Sequence, residues 1–172
     1  IGCNYDIGLQ ASPHAWQTGF SSVASIITTS AALCDNGATV NCSKDGLGIV
    51  PGTQSDVDGP GLTIGDESSE LVASTKSLHA VRRYGRNGVS SPLLLCMYST
   101  PTVISTILSE AEEVNDRSTT ITWDNSNGRV YQLQSGDELL LYMSENGLGW
   151  LKLEAVDDPS EKRDLLSQYG YV

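Results

Sequence analysis

Residues 139–153 read LLLYMSENGLGWLKL, and this stretch decides the fold class. Two apolar segments flank Asn146-Gly147, the dipeptide that most readily adopts the two positive φ angles of a type I′ hairpin turn. The same dipeptide occurs three more times, as Asn36-Gly37, Asn87-Gly88 and Asn127-Gly128. Because apolar segments also flank the last two of these, we expect an antiparallel meander from Glu70 to Val156.

The whole chain has the composition of one weakly charged, β-rich domain spanning residues 1–172. Charged residues make up 18% of it, against a usual share of about 25%. The formal net charge is −11, which argues against binding to nucleic-acid phosphates. No run of about 18 apolar residues occurs, so we expect no membrane span.

The first ten residues alternate between apolar and polar side chains, which is typical of a half-buried strand. Its apolar face consists of Ile1, Cys3, Tyr5, Ile7 and Leu9. A terminal strand fits the edge of a sheet, where it pairs within its own subunit or with a neighbour. The chain starts at Ile1 rather than Met, so we expect an end produced by processing.

Two helices are predicted beside the strands. Ser12-Pro13 is a helix-start signal, and apolar residues recur at spacings of three or four through residue 34, although Gly19 and a Ser/Thr-rich run leave a strand as the alternative. Asp157-Asp158-Pro159 predicts a short C-terminal helix through Leu166. Residues 43–69 are poor in apolar side chains and are predicted to form a long loop.

Four cysteines predict either two disulfides or four buried thiols. The short spacing favours a Cys34–Cys42 bond, which leaves Cys3 and Cys96 for each other. Disulfides would indicate an extracellular protein or a virion protein.

No catalytic or metal-binding motif stands out, so we expect a protein that is not an enzyme and that holds no cofactor or metal. His79 and Cys96 are the one base–nucleophile pair that can be proposed, but Cys96 lies in an apolar strand that should raise its pKa, and His79 is predicted on the polar face. The acidic stretches at residues 56–59, 66–67 and 124–128 contain turn-forming residues and lack the spacing of a calcium loop.

Two sets of residues are candidates for contacts with partners. The first is a basic cluster, which we expect to dock an anion or an acidic surface such as another copy of the chain, or else to protect an edge strand from pairing. It consists of Lys76, Arg82, Arg83 and Arg86. The second is a set of aromatic residues with a polar group, Trp150, Tyr169 and Tyr171.

Together these features predict a mainly β fold, an antiparallel β-sandwich or a jelly-roll-like pair of sheets. The leading functional hypothesis is a non-enzymatic structural subunit of an extracellular or virion assembly, a coat, decoration or filament protein, whose partners are copies of itself or other subunits. The alternative is a secreted recognition module that binds carbohydrate through Trp150, the tyrosines and the 43–69 loop. A third hypothesis is a hydrolase or toxin that depends on His79.

Overall fold

The computed structural model describes residues 31–57, 62–64, 69–71, 73, 75–100, 103 and 105–171. The predicted terminal strand, with Ile1, Cys3, Tyr5, Ile7 and Leu9, lies outside these residues, as do residues 12–30 of the predicted N-terminal helix. In the described part, strands dominate and two helices occur. In chain order the elements are β1 Ala31–Asp35, β2 Asn41–Ser43, β3 Ser55–Asp56, β4 Leu62–Ile64, β5 Ser69–Leu71, β6 Thr75–Tyr84, β7 Ser90–Ser99, β8 Thr106–Ser109, α1 Glu110–Arg117, β9 Thr120–Asp124, β10 Gly128–Gln132, β11 Glu138–Leu140, β12 Tyr142–Met143, β13 Gly149–Ala155 and α2 Pro159–Gln168.

Six of the strands close into a barrel of mixed direction. They follow the order β13-β1-β8-β2-β7-β6, and β6 pairs back onto β13. The β1–β8 and β2–β7 pairs are parallel, and the other four pairs are antiparallel. The prediction of a mainly β fold is therefore confirmed, but the sheet is a closed mixed barrel and not an antiparallel sandwich or jelly roll.

The barrel interior is built by simple alternation along its long strands. On β6 the odd-numbered residues point inward, so Val81 enters the core and Arg83 is buried two residues further along. On β7 and β13 the inward positions are apolar as well. The main core cluster contains Ala32, Cys34, Val81, Leu93, Leu95, Met97, Leu108, Tyr131, Leu139, Leu141, Leu151 and Leu153.

The Asn-Gly turns locate three hairpins correctly. The turns containing Gly88, Gly128 and Gly147 connect antiparallel neighbours, and each of these glycines has a positive φ. The preceding asparagines do not have a positive φ, so the prediction of type I′ turns is wrong although the positions of the hairpins are right. One continuous meander from Glu70 to Val156 is nevertheless wrong, because β8 and α1 come between β7 and β9 and β8 pairs in parallel with β1. Alternation specifies which face of a strand is buried but not which strand lies beside it.

Strand β1 corrects two predictions. Residues 31–34, the end of the predicted N-terminal helix, form a strand and not a helix. Cys34 faces the barrel interior with Leu108, whereas Cys42 packs with Ile107 in a separate cluster. Neighbouring residues on β8 point to opposite faces, so the two sulfurs lie on opposite sides of the sheet and the Cys34–Cys42 disulfide is wrong.

The predicted Cys3–Cys96 disulfide is also absent, since Cys96 is an exposed free thiol. The prediction of a disulfide-linked protein therefore has no support in the described residues.

Trp150 is not a surface residue. Its neighbours Leu151 and Leu153 face the core as expected, and Lys152 and Glu154 lie on the other face. That other face is covered at Trp150 by Leu33 and Tyr142, and the indole is 0% exposed. Trp150 is therefore buried in a second small apolar cluster outside the barrel, and the prediction that it contacts a partner is wrong.

Part of the predicted 43–69 loop extends the barrel wall. Ala80 N donates to Gly48 O and Val50 N donates to Leu78 O, both at 2.8 Å, so this segment lies along β6. Gly48 has a φ of +75°, and a Cβ on it would lie 2.5 Å from the Ala80 carbonyl oxygen. Only glycine fits this close approach of two backbones.

The C-terminal helix is confirmed as α2. The side chain of Asp158 caps it by accepting from Glu161 N, and Pro159 occupies the first turn. Leu165 packs with Val50, Ala80 and Leu94 on the outside of the barrel. No helix in the described part of the chain is long and apolar enough to span a membrane.

Candidate ligand cleft

Helix α1 carries the densest group of charged residues in contact with the barrel. Ser109 caps the helix in two ways: its hydroxyl accepts from Glu112 N at 3.2 Å and donates to Ala38 O at 2.6 Å. Three glutamates occupy the first turn, where the helix dipole favours negative charge. Glu110 and Glu113 are three residues apart and both are buried, so α1 turns two carboxylates towards the barrel.

Glu113 is fully engaged by cations and a hydroxyl. Its Oε2 accepts from Arg83 Nη1 at 2.6 Å and from Arg117 Nε at 2.8 Å, and its Oε1 accepts from Thr119 Oγ1 at 2.7 Å. Burial acts to raise the pKa of Glu113, but the two guanidinium groups and these hydrogen bonds outweigh it and hold the pKa below its ordinary value. Glu113 is therefore an ionised partner of Arg83 at neutral pH.

Glu110 has a different environment. Its Oε1 accepts from Arg129 at 2.9 Å and its Oε2 accepts from the Tyr131 hydroxyl at 2.6 Å. Burial raises the pKa of Glu110 in spite of these two donors. Burial also raises the pKa of the neighbouring Cys34 thiol to about 12, so this thiol stays protonated and unreactive.

A cleft of about 350 Å³ opens beside the Glu113 cluster. Its walls come from β7, the end of α1, the β10–β11 turn and the end of α2. The lining residues are Arg83, Ser91, Pro92, Leu93, Glu113, Asp116, Arg117, Thr119, Leu133, Gln134, Ser135, Gln168 and Tyr169. Two arginines and two carboxylates among them give a lining with no net formal charge.

Two features of this cleft bear on what it could hold. Tyr169 is 45% exposed and leaves an aromatic ring in contact with solvent. Arg83 is 2% exposed, and its Nε–H has no hydrogen-bond partner among the described residues. A buried donor without an acceptor is costly, so an acceptor supplied by a ligand would stabilise it.

A second hollow of about 360 Å³ lies on the other side of α1. It is lined by Asn36, Glu110, Ala111, Val114, Ile121 and Arg129. Both oxygens of Glu110 are hydrogen-bonded within the protein, and no described residue that lines this hollow has a buried polar side-chain atom without a partner. We therefore take the cleft beside Glu113 as the candidate site and call it the α1–α2 cleft.

The structure does not bring the predicted basic cluster together on one surface. Adjacent residues of β6 point to opposite sides, so Arg83 is buried against Glu113 while Arg82 pairs outside with Glu161. Arg86 is exposed beyond the end of β6, and Lys76 lies at the opposite end of the strand. A single anion-docking site made of these four residues is therefore wrong.

His79 and Cys96 do not form a catalytic pair. His79 is buried and not on a polar face: its Nδ1 lies 2.7 Å from Leu47 O and its Nε2 lies 3.0 Å from Ser77 Oγ. Burial lowers its pKa, so the imidazole is neutral at physiological pH. The Cα partner of Cys96 is Leu78 and that of His79 is Leu95, which places the two side chains on opposite faces of the sheet.

In the acidic hairpin at residues 124–128, the aspartate is hydrogen-bonded within its own turn. Asp124 accepts from Ser126 N and from Asn127 Nδ2, both at 2.8 Å, as a turn-forming aspartate does. Asp58, Asp66 and Glu67 of the other acidic stretches lie outside the described residues. Among the residues that are described, no group of three or more potential ligands could hold a metal ion.

Comparisons of this chain with protein-family models, with curated proteins and with solved structures give no match. Evidence on its function therefore comes from the geometry alone.

Arg83 and Tyr169 were predicted from the sequence as contact residues, but their neighbours in the cleft were not. Glu113 and Arg117 belong to a helix that was not predicted, and Thr119 follows the C-terminal cap of that helix. One signal was available, because Ser109 is followed three residues later by Glu112, the S-x-x-E pattern of a helix start. Gln134 and Ser135 lie in a turn, and no sequence pattern links them to the cleft.

Proposed function

We propose that the chain is a non-enzymatic recognition module that binds an uncharged, hydroxyl-rich ligand such as a short glycan in the α1–α2 cleft. The observation that carries this proposal is the Arg83 side chain, which lines the cleft and whose buried Nε–H lacks an acceptor among the described residues. A ligand hydroxyl is a small acceptor that could fill this position.

The other walls of the cleft suit the same ligand class. Tyr169 offers an exposed ring against which the apolar face of a sugar can pack. Ser91, Gln134 and Ser135 add hydroxyl and amide groups that both donate and accept hydrogen bonds. Because the charged residues of the lining balance, a neutral ligand is favoured over a polyanion.

A binding role fits this cleft better than catalysis. General acid–base chemistry needs a carboxyl group that can exchange its proton with a substrate. Glu113 is held ionised by Arg83 and Arg117, and both of its oxygens accept hydrogen bonds from other side chains. The expectation that the protein is not an enzyme therefore remains a proposal that this arrangement supports.

A panel of soluble oligosaccharides tests the proposal. Neutral, acidic and amino-substituted oligosaccharides of equal length are titrated against the intact chain by ligand-observed NMR. We expect saturable binding of a neutral oligosaccharide and no preference for the acidic ones. Binding only of polyanions, or of no member of the panel, would contradict the proposal.

A second candidate function is the structural subunit of an extracellular or virion assembly. One observation favours it: Trp123, on an outer strand of the β9–β10–β11 sheet, is 63% exposed. A large exposed aromatic residue is characteristic of contact surfaces between proteins. The extracellular or virion location stays a prediction under either candidate.

A further inference from the structure

Strand β9 is an edge strand in the part of the chain that the structure describes. It is the last strand of the three-stranded sheet β11-β10-β9, and its other edge pairs with no strand among the described residues. Natural proteins protect such edges with Lys, Pro or a bulge, because an unpaired edge is a template for another strand. The sequence of β9 is Thr-Ile-Thr-Trp-Asp, which contains no such protection.

The strand is also complementary to itself. About its central residue, Thr122, the flanking positions Ile121 and Trp123 are large and apolar, and the outer positions are polar. In an antiparallel pair of two β9 strands centred on Thr122, each Trp123 would face the partner's Ile121. Thr122 would then face its own copy, and β-branched and aromatic cross-strand pairs of this kind stabilise sheets.

Charge does not oppose this pairing. Asp124 is the one charged residue of β9, and it lies at the end of the strand. In the register centred on Thr122 it faces the partner's Thr120 and not the partner's Asp124. Its carboxylate is in addition held by Ser126 and Asn127 of its own turn.

We propose that two copies of the chain associate by antiparallel pairing of β9 with β9 about a two-fold axis at Thr122, which joins two three-stranded sheets into one of six strands. This inference rests on the second candidate function, assembly, and is independent of the α1–α2 cleft. The interface is isologous, as in most homodimers, because the same strand serves both copies.

The salt dependence distinguishes this interface from the basic cluster predicted at first. Each copy carries a formal net charge of −11, so two copies repel each other, and β9 contributes no ion pair that salt could weaken. Screening of this repulsion should make the association tighter as the salt concentration rises. Association through a basic cluster and an acidic surface would weaken instead.

The test measures self-association of the intact chain by sedimentation velocity across a range of concentrations. Thr122→Lys places two like charges opposite each other on the two-fold axis, and we expect it to weaken the dimer at least about tenfold, equal to ~1.4 kcal/mol. Thr122→Val keeps a β-branched residue and should retain the dimer. Gln132→Lys adds the same charge at an exposed position of the inner strand β10 and serves as the matched control.

A second readout follows Trp123 itself. Its exposed indole should become buried on pairing, so the tryptophan emission should shift to shorter wavelength with concentration in the wild type and not in Thr122→Lys. A wild-type chain that stays monomeric overturns both the pairing and the assembly function. A dimer that Thr122→Lys leaves intact overturns the β9 interface alone, as does amide-exchange protection, in the monomer, of those β9 amides that do not donate to β10.

Discussion

Glu110 and Glu113 lie on the same side of α1, less than one turn apart, yet their pKa values are shifted in opposite directions. Both carboxylates are buried, so burial alone does not explain the difference. Glu113 contacts two arginines and a threonine hydroxyl, whereas Glu110 contacts one arginine and a tyrosine hydroxyl. The additional guanidinium favours the ionised form of Glu113, which lines the cleft.

Replacement of Arg83 should be far more destabilising than replacement of Arg82, its neighbour in the sequence. Arg83→Met leaves the buried Glu113 with a single arginine, and removal of one member of a buried pair costs about 3–5 kcal/mol. Arg82→Met breaks a partly exposed pair with Glu161, and solvent screening limits its cost to about 0–1 kcal/mol. Urea unfolding of the two variants measures the difference, and equal losses of stability would contradict the buried pair.

The opposite pKa shifts predict opposite pH dependences. The folded-state pKa of Glu110 lies above the ordinary value of 4.5, so its contribution to stability is complete below that pH and is lost as the pH rises through the folded-state pKa. The folded-state pKa of Glu113 lies below 4.5, so its contribution is complete above that pH and is lost as the pH falls. The stability advantage of wild type over Glu110→Gln should therefore shrink as the pH rises, and that over Glu113→Gln should grow. Unfolding curves at several pH values check both trends, and a common trend would refute the assignment.

The two helix caps should differ in their effect on stability. Ser109→Ala removes a bond to Glu112 N and leaves the buried Ala38 carbonyl without its donor, so we expect a loss of about 2 kcal/mol or more. Asp158→Ala removes one exposed capping bond from α2 and should cost about 1 kcal/mol or less. Thermal and urea unfolding compare the two variants, and an equal or larger loss in Asp158→Ala would show that Ser109 acts as a simple cap.

Thiol labelling should separate Cys34 from Cys96. Cys34 is buried in the barrel with its pKa raised to about 12, so it should react only when the chain unfolds. Cys96 is exposed on the outer face of β7 and should react in the folded protein. Mass analysis after labelling with and without denaturant tests this order. Rapid labelling of Cys34 in the folded chain would contradict its place in the core.

The sequence predicted the features that are determined by neighbouring residues. The Asn-Gly turns located three hairpins, and Asp158-Pro159 located the start of α2, because backbone conformation and capping decide both. Closure of the barrel and the parallel strand pairs depend on contacts between distant segments, which alternation does not encode. The burial of Trp150 has the same origin, since its cover comes from Leu33 and Tyr142.

The candidate cleft was only partly predictable for a related reason. Arg83 and Tyr169 stood out by residue type, but they are 86 positions apart and no local pattern joins them. In the sequence, Arg83 was one of four clustered basic residues. Its contacts depend instead on the side of β6 to which its side chain points. The carboxylate that decides this, Glu113, belongs to a helix whose only sequence signal was the short pattern at Ser109.

Binding of a neutral oligosaccharide to Tyr169→Ala and Tyr171→Ala, measured by calorimetry beside the wild type, tests the central claim most directly. Tyr169 lines the α1–α2 cleft, and Tyr171 is an equally aromatic and more exposed residue of the same tail, 59% exposed, that does not line it. We predict that Tyr169→Ala weakens binding at least about tenfold, ~1.4 kcal/mol, and that Tyr171→Ala binds as the wild type does. Equal affinity of the two variants would contradict a recognition site in this cleft.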